Sequence, residues 1–402
     1  MHNNNVVLRL VDQLAVHCDG VPEALARELY MRGSRDGSFV CLALPRARFA
    51  QGGFLLLTDL RAIHTLREPQ ADLTAWDGPL TAWSLPYEWL AERARRNAAW
   101  PARAVQTAAL GLHFGHGQHY PGTDDTAQAT RAGRPPVAAT PPSWYRRALR
   151  SIQQAIAQGH VYQVNLTQQR AYRARREDVL RLWLESVARF RPAFASLWQH
   201  QGQLTACLSP EELWSCDGTN LATAPIKGTA LSDSRELQSD KNRAEHTMIV
   251  DLERNDLHRI CRAGSVQVPI LAHAVRYGGV EHLVSLVRGR LQAGVQLTQI
   301  VDAMAPGGSV TGAPKLAAID YIQKLERRSR GIYCGALALT LAVDPYCGLA
   351  ALPIRTAQWN HGWMRYGSGG GITIDSDTDS EYRELLRKQY WLEDYSDARH
   401  RG

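Results

Sequence analysis

No two of the seven cysteines, at positions 18, 41, 207, 216, 261, 334 and 347, form a CxxC pair or any metal-ligand spacing. That excludes a zinc-ribbon or dithiol redox centre. The odd count, without a secretory leader, points to reduced thiols and a cytoplasmic protein. Met1 to Asp12 is interrupted by Arg9 and Asp12 too early for a signal-peptide core. No apolar run approaches the ~20 residues that a membrane span requires. Blocks of like charge are missing too. The formal charge is +7, but the densest basic stretches, Arg93 to Arg103 and Arg146 to Arg176, alternate with apolar residues and read as solvated faces. Nucleic acid is therefore not an expected partner. The chain has no internal repeat and no P-loop register of Gly, Lys and Ser/Thr.

What remains is an ordinary globular chain of 402 residues, 45% hydrophobic and 21% charged, able to bury a large core. Residues 1–115 alternate short apolar runs with helix-like stretches and read as an N-terminal layer integral to the fold. Residues 116–142, rich in Gly, Pro, Thr and Ala, read as a loop. Residues 143–395 carry the chemistry. There, helices are expected over Pro142 to Gln158, Asp240 to Asp256, Pro314 to Leu325 and Ser380 to Trp391. Strands are expected over Val161 to Thr167, Leu204 to Leu208 and Leu221 to Ala224. Tyr333 to Val343 pairs with Gly348 to Ala357, and Trp363 to Tyr366 and Ile372 to Ile374 are two further strands. Strand groups punctuated by helices, without βαβ alternation, indicate an α+β fold.

Pro225-Ile-Lys-Gly-Thr229 places Lys227 in a turn, where Gly228 allows close backbone approach to a ligand. Glu381 and Glu384 share one helix face and suit Mg²⁺, which takes one or two protein carboxylates and keeps waters. A Thr378-to-Glu381 capping box is the structural alternative for Glu381. Glu245 would add a third carboxylate, or is a first-turn acid favoured by the helix dipole. Pro306 to Lys315 is a Gly-rich turn into a helix, with the Ser309 and Thr311 hydroxyls available to a carboxylate. Gly369, Gly370 and Gly371 offer a second N–H concavity, or a tight turn, and Arg355 lies between the two loops. His282 is either a core histidine or a neutral donor. Together these residues describe an enzyme for a small, multiply charged anion with a divalent metal.

Lys227 and its neighbours, Glu245-His-Thr-Met-Ile-Val-Asp-Leu-Glu-Arg-Asn-Asp256, the Pro306 to Lys315 loop and Gly369 to Glu384 resemble the chorismate-utilising enzymes. The resemblance covers roughly Gln158 to Gln389. It implies a large α/β sandwich of two orthogonally packed antiparallel sheets flanked by helices. Gln163 stands where water-adding members carry a lysine base, which disfavours isochorismate chemistry. Tyr162-Gln-Val-Asn-Leu166 and Lys227 are similar to the aminodeoxychorismate synthase component I branch, since anthranilate synthases carry a small residue in place of Lys227. The resemblance implies Mg²⁺ held by Glu245 and Glu384 with Glu381 nearby, and Glu211 as the acid for the C4 hydroxyl. It implies Lys227 as a nucleophile at C2, in a site with Gly228, Thr229 and His282. Gly369 to Gly371, Arg355, Ser309 and Thr311 would orient the carboxylates; Lys315 either touches substrate or braces its loop. No cysteine has the Gly-x-Cys-x-Gly setting of a glutaminase, so ammonia would come from a separate glutamine amidotransferase subunit.

Ala338-Leu339 replaces the family's Gly-Tyr, removing a tyrosine expected at the chorismate site, and Ala230-Leu-Ser follows Thr229 where Arg or Pro-Arg is usual. Anthranilate synthase component I is the nearest alternative function. A catalytically silent chorismate-binding or regulatory subunit is the alternative from another class.

Overall fold

The computed structural model describes residues 38–44, 53–73, 80–98, 109–120, 140–190, 192–231, 240–277, 280–326, 328–341 and 347–389. Most of the expected loop at 116–142 lies outside them. The strands are β1 (Phe39–Leu44), β2 (Gly53–Leu66), β3 (Thr81–Leu85), β4 (Ala109–Tyr120), β5 (Gln163–Arg173), β6 (Phe194–His200), β7 (Gln203–Ser209), β8 (Glu212–Asp217) and β9 (Asn220–Ala224). They continue as β10 (Ile226–Leu231), β11 (Gln267–Tyr277), β12 (Val280–Arg290), β13 (Gly312–Ala313), β14 (Ala336–Leu341), β15 (Cys347–Ala351), β16 (Thr356–Asn360) and β17 (Trp363–Ile372). The helices are α1 (Tyr87–Asn97), α2 (Ser143–Ala157), α3 (Arg176–Phe190), α4 (Asp240–His258), α5 (Leu297–Met304), α6 (Gly308–Thr311), α7 (Lys315–Glu326) and α8 (Thr378–Arg387).

All described pairings are antiparallel. One series runs β12-β9-β8-β15-β14-β3-β4, with β10 and β11 also on β12. The other runs β2-β1-β6-β7-β16-β17-β5-β13. The long strands β2 and β4 pair with each other and join the two. The fold is thus an α+β sandwich of two antiparallel sheets with helices.

Side-chain alternation along the strands decides what lies between the layers. Val40, Leu57, Trp198 and Cys207 of one sheet meet Ala82, Leu112 and Leu337 of the other in one apolar cluster. Their neighbours Cys41, Leu56, Leu197, Ala206 and Leu208 point the opposite way and are covered by Val179, Leu180, Trp183 and Val187 of α3. A slip of one residue would exchange these faces. The largest cluster gathers α2, α4, α5 and α7 against β5, β8, β12 and β14. Tyr145, Leu149 and Ile152 of α2 are buried there, as their helical spacing predicts.

Several boundaries differ from expectation, among them that β5 runs on to Arg173 and that β14 spans only Ala336–Leu341. β17 is one strand across the glycine run, because those residues are laddered to β5 rather than turning. The expected strand Gly348 to Ala357 is broken at Leu352 to Arg355, where Pro353 has no N–H and Arg355 has φ +50°. There the chain leaves β15 in one sheet and enters β16 in the other. α7 begins at Lys315, with Pro314 just before it, and α8 spans Thr378–Arg387 with its C-cap at Lys388, short of the expected end at Trp391.

Candidate active site

Lys227 sits on β10 beside a break in register: Lys227 pairs with Leu283 and Thr229 with His282, while Gly228 between them has φ +65°. The expected turn is therefore a bulge within a strand. A bulge turns a side chain out of the regular alternation, and the positive φ favours glycine. The half-buried amine has a lowered pKa. Enclosure in protein is the main cause; Glu245, Glu211 and Glu384 oppose it and Lys388 adds to it. Those causes also show which charges face the amine.

Glu211 lies in the connection from β7 to β8 and is buried. Its backbone N–H donates to Ser209 Oγ at 3.1 Å, and its carbonyl accepts from Leu352 N–H at 3.1 Å. The acid is thereby fixed to the segment that crosses between sheets. Ser309 Oγ donates to Glu211 Oε1 at 2.7 Å. Burial pushes the Glu211 pKa up to about 7, with the Ser309 hydrogen bond and Lys227 pulling it back. The result is a carboxylic acid that still holds its proton near neutrality, next to an amine that gives one up more readily than usual.

His282, on β12, is buried beside the bulge and hydrogen-bonded to the Gly228 backbone. Burial first, then the facing Arg355 charge, drives its pKa down to about 3, so the ring is neutral. Arg355 thus approaches the bulge from the segment that crosses between the sheets. Thr229 is placed next to His282 by the same register.

The Gly307 to Lys315 segment contains α6, whose four residues are all buried. Thr311 Oγ1 donates to Gly307 O at 2.8 Å, so its hydroxyl closes the turn while that of Ser309 serves Glu211. Lys315 Nζ is 2.6 Å from Asp256 Oδ2 on α4. This contact ties the loop to α4.

Gly369, Gly370 and Gly371 pair with Thr167, Leu166 and Asn165 in the ladder. They form bare strand, neither the concavity nor the turn expected. Their missing side chains matter: a Cβ at Gly371 would lie 2.0 Å from Gln163 Nε2 and 3.3 Å from Lys227 Nζ. One at Gly370 would lie 3.5 Å from Glu381 Oε2 and 3.8 Å from Lys388 Nζ. The glycine floor leaves room for Gln163 and Lys227 at Gly371 and for Glu381 and Lys388 at Gly370.

Glu245 lies beyond the first turn of α4, which removes the dipole explanation for it. The cap of α8 is Asp377, whose side chain accepts from Ser380 N–H at 2.9 Å; the capping box expected at Thr378 does not form. Glu381 instead accepts from Ser376 Oγ at 2.7 Å, and Glu384 Oε1 is 2.8 Å from Lys388 Nζ. Among the described residues no three His, Cys, Asp or Glu side chains close a metal cage. Glu245 and Glu384 both act on the Lys227 charge, and their carboxylates are oxygen donors of the kind a hard cation takes.

Sequence reading missed Lys388, Ser376 and the acids on α4, Glu253 and Asp256. Lys388 had a local signal, four residues after Glu384 on one helix face. Leu339 packs against the inter-sheet cluster, and Ala338 faces the other core.

A family described as chorismate binding enzyme matches residues 53–392. Aminodeoxychorismate synthase component 1 of Escherichia coli is 37% identical over 257 residues, 61% of this chain and 55% of the relative. A protein of the same name from Bacillus subtilis is 36% identical over 263 residues, 62% and 54% of the two chains. An anthranilate synthase component 1 of Haloarcula marismortui is 37% identical over 251 residues, 60% and 49%. The chain spans about half the length of the curated relatives it matches. Among solved structures, anthranilate synthase component I of Streptococcus pneumoniae superposes with TM-score 0.66 at 21% identity, covering 83% of this chain and 90% of that one. A 2,3-dihydroxybenzoate-specific isochorismate synthase of Bacillus anthracis gives 0.70 at 17%, covering 92% and 100%. These two likenesses concern the fold. The family match, extending across both sheets and every residue of the site described above, makes the chain a member of the chorismate-binding enzyme family.

Proposed function

We propose that the protein aminates chorismate at C4 to give 4-amino-4-deoxychorismate, as an aminodeoxychorismate synthase component I. The observation that carries this reading is the pairing of Lys227, an amine of lowered pKa, with Glu211, an acid raised to about 7. Neutral Lys227 attacks C2 while the ring double bonds shift and the C4 hydroxyl leaves as water with the proton of Glu211, which then recovers a proton from the new C2–N ammonium. Ammonia then bonds to C4, the C2–N bond breaks, and Lys227 departs as an amine, taking the proton that ammonia gives up. Gln163, buried on the same floor, offers no base to activate water. Arg355 and Lys388 supply positive charge for substrate carboxylates.

Glu245 and Glu384, with Glu381 beside them, would hold Mg²⁺; bound there, the ion would neutralise the ring carboxylate. All three relatives described above carry the words component 1 in their names, which supports a second component delivering ammonia from glutamine. The anthranilate reading is kept because a relative of that name is equally identical.

The test is product identification after incubation with chorismate, Mg²⁺ and ammonium, with and without aminodeoxychorismate lyase. 4-Aminobenzoate formed only with the lyase is expected. Anthranilate would replace the proposal with the alternative.

A further inference from the structure

Helix α4 buries an acid that the proposed reaction does not use. Glu253 and Asp256 are each 3% exposed and stand one turn apart. Asp256 is paired with Lys315. Glu253 is placed differently: its carboxyl lies against α6, where the Gly308 N–H is its hydrogen-bond donor. A Cβ at Gly308 would sit 3.2 Å from Glu253 Oε1 and 2.4 Å from Leu252 Cδ2, so α6 rests directly on α4. Oε2 of Glu253 is buried with no hydrogen-bond partner among the described residues.

A four-residue helix cannot hold its own shape, because nucleation costs more than one turn returns. α6 is held from outside instead. Thr311 closes it on Gly307, Lys315 ties its far end to Asp256, and Glu253 ties its near end at Gly308. The residue after Gly308 is Ser309, whose hydroxyl is on Glu211 at 2.7 Å. Two buried carboxyls thus flank one dipeptide.

We propose that Glu253 is a positioning residue for Glu211: its carboxyl fixes the Gly308 end of α6, and so holds the Ser309 hydroxyl on the acid. This rests on the reading of Glu211 as the proton donor. The groups facing Glu253 are Asp256 on its own helix, Lys315 at the start of α7 and Glu211 across α6; Arg259 faces Asp256. Burial and Asp256 raise the Glu253 pKa, and Lys315 opposes them. The Ser309 hydrogen bond lowers the Glu211 pKa. Releasing α6 at Gly308 therefore raises it.

The experiment is a carboxyl ¹³C NMR titration of the full chain labelled at glutamate, with Glu211 assigned by Glu211→Gln. In the wild type Glu211 is expected to titrate well above the usual carboxylate range, near pH 7. Glu253→Asp and Glu253→Leu shift its midpoint upward by about half a unit or more, since a carboxyl bonded in its charged form is released. Glu253→Gln keeps a carbonyl oxygen for the Gly308 N–H and leaves the midpoint in place. The Leu variant also loses about tenfold or more in kcat with KM nearly unchanged, and Gln restores most of it. Should the Leu variant fail to fold, Asp against Gln carries the comparison. An unmoved Glu211 midpoint in the Asp variant overturns the proposal. The titration needs no turnover, so a wild type that leaves chorismate unchanged would overturn the assigned reaction and leave this test standing.

Discussion

At the scale of single residues, the site works by moving protonation equilibria with burial. Lys227 and Glu211 are both displaced toward neutrality, and each partly offsets the other. His282 shows the same physics with a consequence for stability. Its pKa falls from 6.5 in the open chain to about 3 in the fold, chiefly through burial and then through Arg355. A depressed folded value means that stability is present above pH 6.5 and drains away as pH falls toward 3. The loss over that window is on the order of a few kcal/mol. Thermal unfolding followed at a series of pH values should show His282→Asn losing less Tm than the wild type between pH 6.5 and 4. Equal losses would remove His282 from the acid sensitivity of the fold.

At the scale of elements, the glycines of β17 and of the Pro306 to Lys315 segment make opposite demands. A Cβ at Gly371 meets Gln163 Nε2, the far end of a flexible side chain. Gly371→Ala should therefore fold with a Tm close to wild type and still lose chorismate turnover by about tenfold or more, because Gln163 is driven toward Lys227. Gly312 has φ +139°, and its Cβ would meet the Gln163 carbonyl at 2.1 Å, where only backbone could yield. Gly312→Ala should fold poorly, by roughly 3 kcal/mol or more. Differential scanning calorimetry beside an activity assay separates the two; a Gly371→Ala enzyme with wild-type turnover would refute the glycine-floor argument.

At the scale of the whole molecule, the N-terminal strands complete both sheets: β1 pairs with β6, and β3 with β14. A chain beginning at residue 140 would expose those edges and half of the inter-sheet cluster. Its circular dichroism and proteolysis should report an aggregating or incompletely folded protein. A monomeric, cooperatively melting fragment would contradict that. Much was legible in sequence because it is local: the apolar face of α2, the Lys227 and Gly228 pair, and the acids of α8. What escaped depends on distant partners. Lys315 meets Asp256 on another helix, β15 hands the chain to β16 in the other sheet, and the glycine run is held straight by β5. The spacing of these residues along the chain carries no trace of such meetings. Glu253 was hidden for a further reason, since its position in α4 reads like any other helical glutamate.

The central claim is that Lys227 bonds covalently to the ring. Intact-protein mass spectrometry after quenching the enzyme with chorismate and Mg²⁺, without ammonium, tests it most directly. The account predicts a mass gain of one chorismate less one water, located at Lys227 by peptide mapping and absent from Lys227→Ala. The same adduct at wild-type level in Lys227→Ala would contradict it.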